Sequence, residues 1–536
     1  MKEQHLILCM IESDRPSLPF NKVAEVNFNG ATVDQNGSFI YFVYPFIFET
    51  QNFATLKNAI SRTQIPTKEN QLLWEPQSFP KDDLLFHVAN YLNSTDNHFP
   101  TARLWKLNEV ARDILGFRAQ WQLITPISEI PFTFGEAGEG NKVVQLALFQ
   151  IGVGFLTVKV QPDSDNINDW LNFLHYFRFL RGQQGTHVKA ERRIGFNPDT
   201  KQPQLEPFFP ELAGGQAQYQ KGKVYFGEVV TNLLQKSALP PNSLPEPTSK
   251  QWWSEVFVPG QMLSFTALFA DHLPVDETQL LLYKLQNLFH QEQGNNPAPE
   301  DLEFNNPAWL PYASRQWFIF SLEGGSFLAA DPPKTPFFRQ TLPSHLREQY
   351  FLLFLIALHQ RFTLMMLSSK VAMNWLGDGG KYTHRQREQV FEEIRNQLLV
   401  FTARGYFTQV MQREHHHRCY RQWHQVFQIQ ELYQEVNDEV RDMYEYTLMQ
   451  QTRRLETTIQ VIGVAVGIGG IIASSIANYI QQPLSLNPTW KIDTIHPAVL
   501  ILLLSVAAGV AAGVLTWLGT GGWHWILNRI KQRDKK

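Results

Sequence analysis

Gln460, Gly463, Gly467, Gly470, Ser474 and Asn478 recur every three or four residues, which puts all six on one face of an α-helix. Two chemistries use such a face. Small residues let helices approach closely in lipid, and polar ones need a partner or water there. The stripe therefore reads either as a tight packing face or as the lining of an ion path around a symmetry axis. In the second case Asn478 and the backbone of Ala477 would sit near its outer mouth. A second cluster, Arg413–His424 (REHHHRCYRQWH), offers metal-ligand pairs: His415 with Cys419 at i,i+4, and Glu414 with His417 at i,i+3. No single face collects four ligands, and three adjacent histidines point in three directions, as on a solvated surface.

Other chemistry is thinly represented. Gly135–Gly140 (GEAGEG) matches neither a phosphate-binding loop nor a dinucleotide fingerprint, and Lys189–Arg193 with Lys201 makes only a small basic patch. There is no GxSxG nucleophile turn and no HExxH pair, so an enzyme is not expected. A net charge of −3 gives no polyanion-binding signature, and no nucleic-acid partner is expected. Cys9 and Cys419 are too few for a disulfide framework, which fits a reducing compartment.

The elements that must position these residues begin with two long stretches free of charge, Thr457–Trp490 and Thr494–Asn528. Spanning a bilayer takes roughly 20 apolar residues, and each stretch holds such a core, Ile459–Ile480 and Ala498–Leu518. Residues 457–480 and 498–518 are thus expected as transmembrane helices, joined by an outer hairpin at 481–497 and followed by a basic tail at 519–536. Arg453 and Arg454 precede the first span, Arg529, Lys531, Arg533, Lys535 and Lys536 follow the second, and the hairpin holds only Lys491. This bias predicts a multi-pass protein of the cell membrane with both termini cytoplasmic. Trp490, Trp517, Trp523 and Trp525 sit where interfacial aromatics belong.

Residues 1–340 read as a mixed α/β domain with a subdomain boundary near 135–142. Strands are expected at His5–Ile11, Phe39–Phe48, Val143–Gln150, Gly154–Gln161, Val224–Val230, Leu263–Phe269 and Gln316–Leu322. Helices are expected at Asp82–Leu92, Ile167–Leu180 and Glu277–Phe289, and a hairpin is centred on Ile151–Gly154. Residues 341–456 read as a helical stalk. Within it, Pro343–Trp375 is very apolar, but its uninterrupted core ends at His359-Gln360-Arg361, so a buried soluble helix is expected. Gly377–Gly380 breaks that helix, Thr383 with Gln386 offers a capping box for the next, and a further break is placed near Gly405. Val426, Ile429, Tyr433, Val436, Val440, Met443 and Thr447 then form a heptad seam, suited equally to packing on the chain's own helices and to a coiled coil between subunits.

An α+β cytoplasmic domain, a long helical stalk, two C-terminal transmembrane helices with a short outer hairpin, and a lysine-rich tail together resemble the CorA-type family of divalent-cation channels. The resemblance implies a homo-oligomer, in that family a pentamer, whose first span lines a pore for a cation such as magnesium. It also implies a cytoplasmic domain that regulates the pore, the ion itself being a candidate ligand. The family's Gly-Met-Asn motif is absent; Ala477-Asn478-Tyr479 stands in its place without the glycine. Extended by heptad steps, the seam reaches Gln450, Arg454 and Thr457, and a ring of arginines at an inner mouth would repel cations. The other reading is a non-conducting, membrane-tethered sensor or effector whose α/β domain binds a ligand or a protein.

Overall fold

The computed structural model describes residues 28, 30–65, 68–94, 101–135, 143–196, 203–207, 224–238, 251–292, 297–375, 384–479 and 497–517. The expected strand at His5–Ile11, the breaks at 136–142 and 377–380, Thr383, the outer hairpin and the basic tail lie outside them.

Long runs of β-branched and aromatic residues build one large sheet in the N-terminal region. Its main path runs through Pro203–Pro207, His187–Phe196, Gln120–Ile124, Glu129–Phe134, Val153–Pro162, Phe39–Ile47, Leu263–Asp271, Gly324–Ala330, Gln316–Ser321 and Trp309–Ala313. Only Leu263–Asp271 and Gly324–Ala330 pair in parallel among these described strands. Val144–Phe149 forms the expected hairpin with Val153–Pro162 and branches to Ala102–Leu107. Gly154 is needed there, since a Cβ would lie 2.4 Å from the Phe46 ring.

The central strands are buried on both faces, so alternation of side chains decides what covers each. From Phe39–Ile47, Phe42 meets Phe177 at 5.0 Å on one side, and Tyr41 stacks on Phe351 at 4.2 Å on the other. The helices Ile167–Phe177, Phe226–Ser237 and Val275–Asn287 contribute their apolar faces to the first core. The Phe351–Trp375 helix covers the second side through Phe354 on Phe265 and Phe362 on Phe155. The expected strand at Val224–Val230 is instead the start of the Phe226–Ser237 helix. Phe226, Val229, Val230, Leu233, Leu234 and Ser237 are its buried residues, a helical period that only shows over the longer window.

Among the described residues two helices are long and apolar enough to cross a membrane, Phe337–Met373 and Ile429–Ser475. In the first, 83% of the most apolar window is buried inside the protein, as expected for a core helix; in the second none is. The polar interruption of the core helix is fully used. His359 pairs with the Tyr91 hydroxyl at 2.8 Å, and Arg361 donates to the Leu322 carbonyl at 2.8 Å. The Gln360 amide donates to the carbonyls of Gly405 and Phe407, and its oxygen accepts from Tyr420 at 2.8 Å. One side chain thereby satisfies the backbone where the His384–Arg404 helix ends.

The chain divides into two compact units. The first takes in residues up to Met373 and then Glu393–Asn437; the second comprises Asn374–Glu392 and Asp438–Lys536. The edge of the α/β unit therefore does not coincide with the boundary expected near Thr341, and much of the expected stalk belongs to that unit. The stalk is also not one rod. Helix stops at Arg404, resumes at Glu414–Val426, and restarts at Ile429 after Gln428, whose φ of +52° no helix interior accepts. From Ile429 to Tyr479 it continues for 51 residues. Within the seam, Ile429, Val436, Val440 and Met443 are buried in the single chain.

Candidate functional site

The second unit pairs the C-terminal part of the Ile429–Tyr479 helix with the Pro497–Trp517 helix, where the second span is expected; its apolar part, Ile501–Thr516, is shorter than the two helices above. Contact is made through small residues. A Cβ on Gly469 would lie 3.1 Å from the Ser505 carbonyl oxygen, and one on Gly509 would lie 2.8 Å from that of Ala465. A Cβ on Gly513 would approach Ala465 Cβ to 3.2 Å. Ala465 and Gly469 on one helix, with Ser505, Gly509 and Gly513 on the other, form the four-residue small-residue repeat that lets helix backbones touch.

This is not the stripe singled out from the sequence. Around Gly463, Gly467 and Gly470 an added Cβ would meet nothing within 4 Å, and all three are exposed. Gln460 and Ser474 are exposed beside them, with the Ser474 hydroxyl donating to the Ile471 carbonyl of its own helix at 2.9 Å. Asn478 falls in the last turn, where the backbone alone is described. The two helices thus pack through Ala465 and Gly469, and none of the described residues covers the polar and glycine face.

Followed toward the N-terminus in the same steps of three and four, the open face continues through Glu456, Thr452, Met449, Glu445, Asp442 and Asp438, all exposed. Four of these six positions are acidic and none is basic; Asp438 pairs with neighbouring Arg441 at 3.4 Å. The buried seam runs along the opposite side. Val436, Val440 and Met443 lead by the same steps to positions 447, 450, 454, 461 and 465, the last on the face against the second span. Glu456 lies on the open face. Helical geometry turns two residues through about 200°, so backbone positions 454 and 456 fall on opposite sides of the helix.

The chain has no match among family models, curated proteins or solved structures.

The histidine cluster is divided by the surface. Glu414 and His415 are exposed, and His417 is half-buried. Cys419 is wholly buried while His415, one turn before it, is exposed. His416 turns inward with it, edge-on to Tyr350 at 4.8 Å. Burial holds the His416 imidazole down to about 4 and pushes the Cys419 thiol up, so at neutral pH both are uncharged. Among the described residues no three His, Cys, Asp or Glu side chains are grouped to hold a metal ion.

Proposed function

We propose that this chain is a two-span membrane protein of CorA-like architecture, which assembles with copies of itself and passes a metal cation along the open face of its first span. The carrying observation is the division of labour on the Ile429–Tyr479 helix: one side is consumed by the chain's own packing, and the other presents acids, then Gln460, then glycines. Glycine has little to gain from lipid contact, and close approach of another helix is its usual use in a bilayer. Carboxylates before a membrane segment raise the local cation concentration, an effect that salt weakens. The charge distribution supports cytoplasmic termini, which puts the acidic positions on the inner side. A divalent cation such as magnesium is the candidate cargo, and the α/β unit is the candidate regulator.

The test is flux of Mg²⁺, Co²⁺, Ni²⁺ and Zn²⁺ into liposomes holding the full-length protein. Glu456→Gln is expected to slow entry, Ser474→Leu to block it, and Asn478→Ala to alter ion preference. Flux no greater than in empty liposomes, for properly inserted protein, sinks the reading. A second reading, a membrane-tethered sensor or effector that does not conduct, is favoured by one observation: Ile429, Val436, Val440 and Met443 of the heptad seam are buried within a single chain and so are not left over for a subunit contact. Mass in detergent separates the two at low cost, because a monomer cannot enclose a path with one helix face.

A further inference from the structure

Apolar exposure on the Ile429–Tyr479 helix begins well before the charge-free stretch. Among the described residues Tyr444, Tyr446, Leu448 and Met449 remain 40%, 42%, 42% and 56% exposed. They precede Thr457, the first residue of that stretch, by about 12–20 Å along the axis, at about 1.5 Å per residue. The headgroup layer on one side of a bilayer is about 5–8 Å deep, half the difference between a core of ~30 Å and a whole of ~40–45 Å. Lipid does not reach these four side chains, and water is a poor cover for them.

Their placement has a pattern. Asp438, Glu445 and Glu456 mark the middle of the open face, and the buried Val440 and Met443 lie behind it. Arg441, Tyr444 and Leu448, spaced three and four, run along one edge of that face. Asp442, Tyr446 and Met449, spaced four and three, run along the other, roughly 130° away around the helix. Level by level the two edges complement each other: Arg441 beside Asp442, Tyr444 beside Tyr446, Leu448 beside Met449, each offset by about 3 Å or less along the axis. The Tyr446 hydroxyl accepts from Gln450 Nε2 at 2.6 Å, which fixes that ring on its edge. Arg441 pairs with Asp438 at 3.4 Å, both more than half exposed. Such a surface pair is worth little, and a guanidinium with five donors has room for a second carboxylate.

One helix cannot bring its own two edges together, but a parallel second copy can, and copies that cross one bilayer in the same direction are parallel. We propose that this stretch is the contact between subunits, with the Arg441–Tyr444–Leu448 edge of one copy against the Asp442–Tyr446–Met449 edge of the next. Because the two edges differ, the contact is head-to-tail, and its repetition turns toward the open face and closes a ring around it. The inference rests on the reading that copies of the chain assemble through the open side of the first span; it does not require that the assembly conducts.

Tyr444→Cys and Tyr446→Cys combined in one full-length chain, with Cys9→Ser, test it in detergent. Positions two apart on a helix point their Cβ atoms apart and do not bridge within a copy, and Cys419 is wholly buried. Mild oxidation is expected to give a ladder of covalent multimers ending at the mass of the native assembly, while either cysteine alone gives almost none. Leu448→Glu should weaken assembly about tenfold or more, by placing a charge in the apolar contact, and Leu448→Ile should leave it unchanged. Should the double-cysteine chain lose its assembly, this Leu448 pair decides. An oligomer by mass that yields no ladder, or an oligomer indifferent to Leu448→Glu, overturns this contact alone. A native protein that is a monomer overturns it together with the assembly on which it rests. Efficient dimer formation by either single cysteine also overturns it, since like positions would then face each other. A ladder without ion flux upholds the contact and removes only conduction.

Discussion

Two helices in this chain pass the same test of length and apolarity, and they lead opposite lives. Phe351–Trp375 is enclosed by the sheet through Phe155, Phe265 and Tyr41, and its three polar interruptions all find partners. The apolar part of Ile429–Tyr479 leaves Ile459, Ile462, Val466 and Ile471 more than half exposed. Hydropathy alone does not separate these cases; what does is whether the rest of the chain supplies a cover. The polar residues teach the same lesson. His359 and Gln360 are specified by partners far away in sequence, whereas Gln460 and Ser474 lie on a face that none of the described residues covers.

The largest effect expected on this contrast is from charge. Leu358 is wholly buried, and Leu358→Lys strands an unpaired ammonium in the core, which costs more than about 4 kcal/mol and should abolish cooperative thermal unfolding of the α/β unit. Val466→Ser on the exposed helix should leave that transition where it is. If both behave alike, the distinction between the helices is wrong. Next in size is Gln360→Leu, which orphans the Gly405 carbonyl and leaves the Tyr420 hydroxyl and the Phe407 carbonyl only each other, and should cost about 1–3 kcal/mol by chemical denaturation.

Acidification sharpens the comparison further, because the titrating histidines lie in the α/β unit. Burial holds His359 down to about 3, and His175 and His416 to about 4. The unfolded chain takes up these protons near the ordinary imidazole value while the folded one refuses them. The stabilisation is therefore complete above about pH 6.5 and is lost progressively as pH falls toward those lowered values. Each group should cost about 1–2 kcal/mol between pH 6.5 and pH 5, so the α/β unit should melt well before the helical content of the spans changes in circular dichroism. A flat melting temperature from pH 7 to pH 5 would contradict this.

The smallest and most discriminating contrast lies within one helix. Gly469→Leu should separate the two spans and abolish disulfide trapping between cysteines placed at Ala465 and Gly513, whereas Gly467→Leu should leave that trapping intact and lower the oligomeric mass in detergent. The opposite pattern would exchange the roles assigned to the two faces.

Much of the sheet was legible in the sequence, because strands buried on both sides are runs of Phe, Tyr, Val and Ile with no helical alternative of comparable length. Phe226–Ser237 was misread for the converse reason: its first residues, Phe226–Val230, look like any apolar strand until Leu233 and Leu234 complete the helical period. The stripe at Gly463, Gly467 and Gly470 was visible because polar residues frame it. The pairing face was less visible, since Val461, Ala465 and Gly469 carry no polar marker; their signal was the matching repeat of Ser505, Gly509 and Gly513 in the other span. A cleft lined by Gln77, Gln145 and Arg347 had no local signature: the sheet order joins the first two, far apart in the chain, and the helical turn Leu346–Tyr350 brings the third.

The order of the two apolar helices along the chain bears on how the protein is made. Chains emerge N-terminus first and domains fold as they appear, so the strands Phe39–Ile47, Val153–Pro162 and Leu263–Asp271 are complete before Phe351–Trp375 leaves the ribosome. The core helix is born into an existing shelter and need not be mistaken for a membrane anchor. The exposed apolar segment before Tyr479 and the Pro497–Trp517 helix follow these strands in the chain, and much of their apolar surface stays uncovered by the described residues.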